Sequence, residues 1–83
     1  MDGITEDAGR EFKRMLEIAQ ATPERCVRLI MSDDGPALEL SEKEPSDITF
    51  DYEGQTVLVV NPSLAAKTAG RRIDYREGRF RFA

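Results

Sequence analysis

The chain has 83 residues, of which 40% are hydrophobic and 34% charged, and its formal net charge at pH 7 is −4. This length suits one domain with a compact core, and no apolar run approaches the roughly 20 residues that cross a bilayer. A single cysteine, Cys26, and no histidine exclude an internal disulfide, a histidine-dependent catalytic triad and a zinc finger. The acidic start, Met1-Asp2-Gly3, is unlike a signal peptide, so we expect a soluble single domain, residues 1–83, in the cytoplasm.

The first predicted element is an amphipathic helix. Thr5 suits its N-cap, because the hydroxyl can accept a hydrogen bond from a free backbone N–H, and Glu6 and Asp7 suit the positive end of the helix dipole. Apolar residues then recur at helical spacing, at Ala8, Phe12, Met15, Leu16 and Ala19. Thr22 precedes a proline, which disfavours helical backbone there, so we expect the helix to end by about Ala21.

Four strands are predicted in the middle of the chain, at residues 26–31, 37–40, 48–52 and 56–60. The Asp- and Gly-containing residues 32–36 are a strong turn signal, and the polar residues 41–46 indicate a loop. Residues 53–54 indicate a second tight turn. The apolar run of residues 56–60 is unbroken, which predicts burial on both faces of that strand.

A short helix and a hairpin are predicted to complete the chain. Asn61 can cap the helix with Pro62 at its first position, and Gly70 can close it in a left-handed conformation. Residues 71–75 and 79–82 then alternate around a turn. Because strands adjacent in sequence favour antiparallel pairing, we predict an α+β fold: an N-terminal helix on a β-rich sandwich of mostly antiparallel strands, with a short helix before a C-terminal hairpin.

A distinctive set of turn residues and strand patterns covers nearly the whole chain. It consists of Ile4-Thr5-Glu6-Asp7-Ala8, Asp47-Ile48-Thr49-Phe50, Gly54, Val57-Leu58-Val59-Val60, Ser63-Leu64, Gly70 and Ile73-Asp74-Tyr75. In this set the chain resembles the HesB-like, or IscA-like, family of A-type iron-sulfur carriers, although the spacing from Ser63 to Gly70 is a residue longer than the family pattern. The resemblance implies a β-rich sandwich with a long N-terminal helix, the same order that the periodicity predicts.

The resemblance also implies three cysteine ligands for iron or a cluster, one in the loop after the first strand and two in a C-terminal Cys-x-Cys. Residues 32–36 take the place of that loop and contain no cysteine, and residues 1–83 contain no Cys-x-Cys pair. Cys26 lies at the start of the first predicted strand, before the loop that should carry the first ligand, and matches no ligand position. We therefore carry over no site residue and predict a divergent HesB-like domain that lacks the three ligand cysteines.

Cys26 and the Asp33-Asp34 turn are the remaining candidates for metal binding. Iron-sulfur clusters usually take four thiolates, so Cys26 could serve only if it were shared across an oligomer and completed by an exogenous thiol. The alternative is a small buried apolar residue. Asp33 and Asp34 carry the carboxylates that hard divalent ions prefer, but a tight turn selects the same residue types. We expect no cofactor and no metal site.

The C-terminal part of the chain differs in charge from the rest. Residues 1–53 contain fourteen acidic and six basic residues, whereas residues 54–83 contain two acidic and six basic residues. The candidate partner-binding residues are Arg71, Arg72, Arg76, Arg79 and Arg81, which alternate with Tyr75, Phe80 and Phe82. If the aromatic residues face the core, the arginines face outward, where they either offset the acidic half or dock on an acidic protein surface. Guanidinium groups with aromatic rings also suit nucleic acid, although the whole chain is acidic.

No catalytic centre is evident, because the serines lack a histidine base and no glycine-rich phosphate loop is present. We therefore predict a protein that is not an enzyme: an interaction or regulatory module with an unidentified protein partner, connected to iron-sulfur cluster assembly by analogy. One alternative is an iron or cluster carrier that uses Cys26 across an oligomer. A second is a weak nucleic-acid binder that uses the arginine hairpin. We expect no membrane partner. The sequence is compatible with either a monomer or a homo-oligomer.

Overall fold

The computed structural model describes all residues from 1 to 83. The elements are β1 (Gly3–Ile4), α1 (Glu6–Ile18), β2 (Arg25–Ser32), β3 (Gly35–Glu42), β4 (Ile48–Tyr52), β5 (Gln55–Val60), α2 (Pro62–Lys67), β6 (Arg72–Arg76) and β7 (Arg79–Phe82). This order confirms the predicted α+β class and adds β1, which was not predicted. Neither helix has the length and apolar character needed to cross a membrane.

The strands form two sheets. In the four-stranded sheet, with order β3-β2-β5-β4, β2 is antiparallel to β3 and parallel to β5, and β4 is antiparallel to β5. In the three-stranded sheet, with order β1-β6-β7, β1 runs parallel to β6 and β7 antiparallel to it. The predominance of antiparallel pairing is therefore confirmed, whereas the two parallel pairings were not predicted.

Helix α1 contacts strands of both sheets, and the core lies between them. The core cluster consists of Ala8, Phe12, Leu16, Val27, Leu29, Val57, Leu58, Val60 and Ile73. Phe12 of α1 stacks on Phe80 of β7, with ring centroids 4.7 Å apart. All four residues from Val57 to Val60 are fully buried, which confirms the prediction for this strand.

The ends of α1 follow from its capping groups. Thr5 is the N-cap, as predicted, and its Oγ1 accepts a hydrogen bond from the Ala8 N–H at 3.2 Å. The helix ends at Ile18, before the predicted Ala21, because Gln20 adopts a left-handed conformation with φ 52°. The N–H groups of Gln20 and Ala21 then bond back to Glu17 and Leu16, which closes the helix with a Schellman motif.

The predicted boundaries of the second strand are wrong. The turn contains only Asp33-Asp34, and β3 spans eight residues where a strand at residues 37–40 and a loop from residue 41 were predicted. Pairing explains the difference, because β3 matches the whole of β2, from Arg25 opposite Glu42 to Ser32 opposite Gly35. Pro36 is tolerated in β3 because this strand lies at the sheet edge, where a residue without an N–H can face solvent.

Gly9 of α1 packs directly against Tyr52 of β4. A Cβ atom at this position would lie 2.4 Å from Cδ1 of Tyr52. We expect Gly9→Ala to lower the free energy of unfolding by about 1 to 3 kcal/mol through overpacking, despite the better helix propensity of alanine. Urea denaturation measures this change. The same substitution in a Tyr52→Ala background should be neutral or stabilising, and a gain in stability in the wild-type background would contradict the packing argument.

Candidate functional site

The hairpin of β6 and β7 brings four of the five predicted arginines to one surface. Arg76 pairs with Arg79 in the ladder, Arg81 pairs with Asp74, and the alternation along β6 places Arg72 on the same side. We call Arg72, Arg76, Arg79 and Arg81 the arginine face; all four are exposed. The fifth, Arg71, is also exposed but precedes β6. The opposite side of the hairpin carries Ile73, Tyr75, Phe80 and Phe82, which belong to the core or pack against it.

Asp74 is the acidic residue in the middle of the arginine face, and it is only 6% exposed. Its Oδ1 accepts a hydrogen bond from the Thr5 hydroxyl at 2.6 Å, and its Oδ2 lies 3.2 Å from Nε of Arg76. The bond from Thr5, helped by the Tyr75 N–H and by the nearby arginine charges, lowers the pKa of Asp74 against the opposing effect of burial. Asp74 is therefore a carboxylate at neutral pH. Both of its oxygens already have partners within the domain, the Thr5 hydroxyl and the Arg76 guanidinium.

The remaining arginines of the region have no acidic partner. Arg76 forms the one ion pair of the arginine face, whereas Arg71, Arg72, Arg79 and Arg81 make none. Arg72 donates a long hydrogen bond, 3.4 Å, to the carbonyl of Ile4. Arg79 and Arg81 thus form no ion pair within the domain, although the charge of Arg81 helps to lower the pKa of Asp74, and both guanidinium groups remain available to a partner.

The most buried ion pair lies in the other sheet and was not predicted. Arg28 of β2 makes two hydrogen bonds to Asp47, from Nη1 to Oδ1 at 2.9 Å and from Nη2 to Oδ2 at 2.6 Å. The two side chains are 11% and 1% exposed. Arg28 also donates from Nε to Ser41 at 3.0 Å, and the Glu44 N–H donates to Asp47 at 2.8 Å. The bonds from Arg28 lower the pKa of Asp47 and raise that of the guanidinium. This ion pair holds the connection between β3 and β4, residues 43–47, against β2.

Cys26 lies inside the four-stranded sheet, on the same side of β2 as Arg28 and opposite Ser41 of β3. The side chain is fully buried. Burial raises the pKa of its thiol, although the charges of Lys43 and Arg28 act in the opposite direction. Because iron is bound by thiolates and a shared ligand must be accessible, this placement does not favour ligation across an oligomer.

The other possible metal and ligand sites are weak. Asp33 and Asp34 are both exposed in the tight turn, and no three His, Cys, Asp or Glu side chains of the domain are grouped so that they could hold a metal ion.

An open cleft of about 700 Å³ lies over β2 and β3 beside α2. Its walls mix the cations of Arg28 and Lys67 with Glu39 and Glu44, and Arg28 already binds Asp47. The cleft therefore has no dominant charge for a ligand.

The fold of the chain is similar to that of a solved structure. The crystal structure of Escherichia coli SufA, a protein involved in the biosynthesis of iron-sulfur clusters, matches 99% of this chain and 85% of the SufA chain with a TM-score of 0.74. The chain has the SufA fold. The sequences are 23% identical, and this structural match confirms the HesB-like fold that the resemblance implied. No protein-family model and no curated protein sequence matches the chain.

On the SufA fold, the arginine face and the buried Arg28–Asp47 pair lie on different sheets. Sequence alternation predicted which side of the hairpin carries the arginines. It did not predict Asp47 as the partner of Arg28, which lies 19 residues away along the chain. The one available signal was an arginine inside an otherwise apolar alternating run, because a charge in such a position needs a partner.

We expect Arg28→Met to lower the free energy of unfolding by about 3 kcal/mol, because it leaves the buried Asp47 carboxylate without its guanidinium. Chemical denaturation measures the loss. The matched control is Arg25→Met, on the same strand but exposed, which should change stability by less than about 0.5 kcal/mol. Equal effects of the two substitutions would show that the pair contributes nothing specific.

Stability should also fall in acid. The folded-state pKa values of Asp47 and Asp74 are lowered, so the stability that each carboxylate adds is complete above the ordinary aspartate pKa of about 3.9 and is lost as the pH falls through the folded values. Urea midpoints measured from pH 7 down to pH 2 should decline below about pH 4. Asp74→Asn should flatten this decline. An unchanged profile in Asp74→Asn would refute this role of Asp74.

Proposed function

We propose that this chain is a non-catalytic interaction module in iron-sulfur cluster assembly, without cluster ligands of its own, which contacts a partner protein through the arginine face. The observation that carries the proposal is the SufA fold over 99% of the chain, because SufA is involved in the biosynthesis of iron-sulfur clusters. Fold alone does not determine function, so the residues of the surface and interior must support the assignment.

The chain has few groups that could bind a cluster, and this supports the proposal. Cys26 is the one cysteine of the chain, it is fully buried, and its thiol pKa is raised by burial. A cluster that takes up to four thiolates would need ligands from elsewhere, and Cys26 would have to leave the interior of the four-stranded sheet to join them. A domain that keeps the carrier fold and buries its single thiol is better suited to binding a protein than to carrying iron.

The positive charge of the arginine face also supports the proposal. Four exposed guanidinium groups share one side of the hairpin, on a chain whose net charge is −4. Arg79 and Arg81 keep no internal ion pair, so their interaction with an acidic protein surface would not break existing contacts. Guanidinium groups bind carboxylates in two-pronged geometry, which makes arginine the residue of choice at such interfaces.

Nucleic-acid binding receives less support from the same surface. It requires aromatic rings beside the cations, on which bases can stack. Tyr75, Phe80 and Phe82 instead face the core, where Phe80 stacks on Phe12. The arginine face therefore offers charge without a stacking platform.

The proposal predicts that the protein binds no iron. After anaerobic reconstitution with iron, sulfide and excess glutathione, followed by desalting, we expect wild type and Cys26→Ser to contain the same negligible amount of iron and to show no visible charge-transfer bands. Purified SufA treated in parallel is the comparison. Stoichiometric iron in wild type that is lost in Cys26→Ser would overturn the proposal in favour of the carrier alternative.

A further inference from the structure

Strand β7 leaves part of its backbone unpaired. It is the edge strand of the three-stranded sheet. Arg72 and Ala83 exchange both backbone hydrogen bonds, at 3.3 and 2.8 Å. Bonded and non-bonded pairs alternate in an antiparallel ladder, so the N–H and C=O groups of Arg81 and Arg79 point toward β6, whereas those of Phe80 and Phe82 point to the free edge. Such groups can bind a further strand.

The side chains beside this edge select which strand can bind. On one side lie Arg79 and Arg81, both exposed and without ion pairs. On the other side lie Phe80 and Phe82, which are partly buried against the core and keep some exposed surface. A strand added here would thus meet positive charge at every second residue and aromatic surface at the residues between.

A second copy of β7 does not satisfy this requirement. Symmetric pairing of two β7 strands would place arginine beside arginine, and like charges on directly opposed residues destabilise a sheet. Charged side chains on an exposed edge strand are one of the means by which proteins avoid edge-to-edge pairing with other copies of themselves. The complementary occupant is an extended segment in which acidic residues alternate with apolar ones.

We propose that β7 binds a partner protein by strand addition, through an extended segment whose acidic side chains lie opposite Arg79 and Arg81 and whose apolar side chains lie beside Phe80 and Phe82. This inference rests on the proposed function, since it specifies the partner of the interaction module. Main-chain hydrogen bonds to Phe80 and Phe82 supply binding, and the two arginines supply selectivity.

The test uses the intact protein and fluorescein-labelled peptides of about eight residues, a normal strand length. The first peptide alternates glutamate and valine. The second has the same composition with its glutamates in one block, and the third replaces glutamate by lysine. Fluorescence anisotropy should show binding of the first peptide that is at least about tenfold tighter than that of either comparison peptide.

Charge reversal tests the assigned side chains. Arg79→Glu combined with Arg81→Glu should weaken binding of the alternating peptide by at least about tenfold. The matched control is Arg10→Glu combined with Arg25→Glu, which makes the same change in net charge at exposed positions on α1 and β2. This control should change the affinity by less than about twofold, apart from long-range steering that added salt removes.

The backbone contribution is tested separately. Two methylated forms of the alternating peptide are compared. In the first, the methyl groups replace the backbone N–H hydrogens that would face β7. In the second, they replace the N–H hydrogens of the intervening residues, which would face solvent. Only the first should abolish binding. In amide hydrogen exchange, the peptide should slow the exchange of Phe80 and Phe82 in particular.

Three results would overturn the inference. Equal binding of the block peptide or of a single-stranded oligonucleotide would show a general anion surface. Equal loss of binding with both methylated forms would exclude strand addition. Protection of Phe80 and Phe82 that rises with protein concentration alone would show that a second copy occupies the edge. These results leave the iron measurement unaffected, so failure here and failure of the proposed function are distinguishable.

Discussion

The Thr5 hydroxyl makes two hydrogen bonds that connect the two ends of the chain. It accepts from the Ala8 N–H, which starts α1, and donates to Asp74 in the middle of β6. The Thr5 N–H adds a third bond, to the carbonyl of Ile73 at 3.0 Å. This junction sets the start of the helix against the terminal hairpin. The stacking of Phe12 on Phe80 makes a second contact between the helix and the hairpin.

The same junction helps to explain how Asp74 lies among the arginines while forming an ion pair with only one of them, Arg76. One oxygen of Asp74 accepts a hydrogen bond from the Thr5 hydroxyl, and the other forms the ion pair with Arg76, so both oxygens have partners inside the domain. Arg79 and Arg81 form no ion pair within the domain, so both are available to a partner.

Features set by neighbours in sequence were predictable, and those set by distant pairing were not. The Thr5 cap, the tight turns after Tyr52 and Arg76 and the two sides of the hairpin depend on local chemistry, and the structure contains them all. By contrast, β1 is two residues long and exists only because β6 lies beside it, so it has no periodicity to detect. The parallel pairing of β2 with β5 and the Arg28–Asp47 pair likewise depend on how distant segments pack.

Because Cys26 is buried, the rate at which its thiol reacts with a reagent in solution can report the internal motions of the molecule. The chain contains one sulfhydryl group, which is fully buried and lies close enough to Lys43 and Asp47, in the connection between β3 and β4, for their charges to act on it. An alkylating dye can reach it only while that part of the four-stranded sheet is open. The rate of labelling therefore measures how often the sheet opens, at a single known site and without any engineered probe.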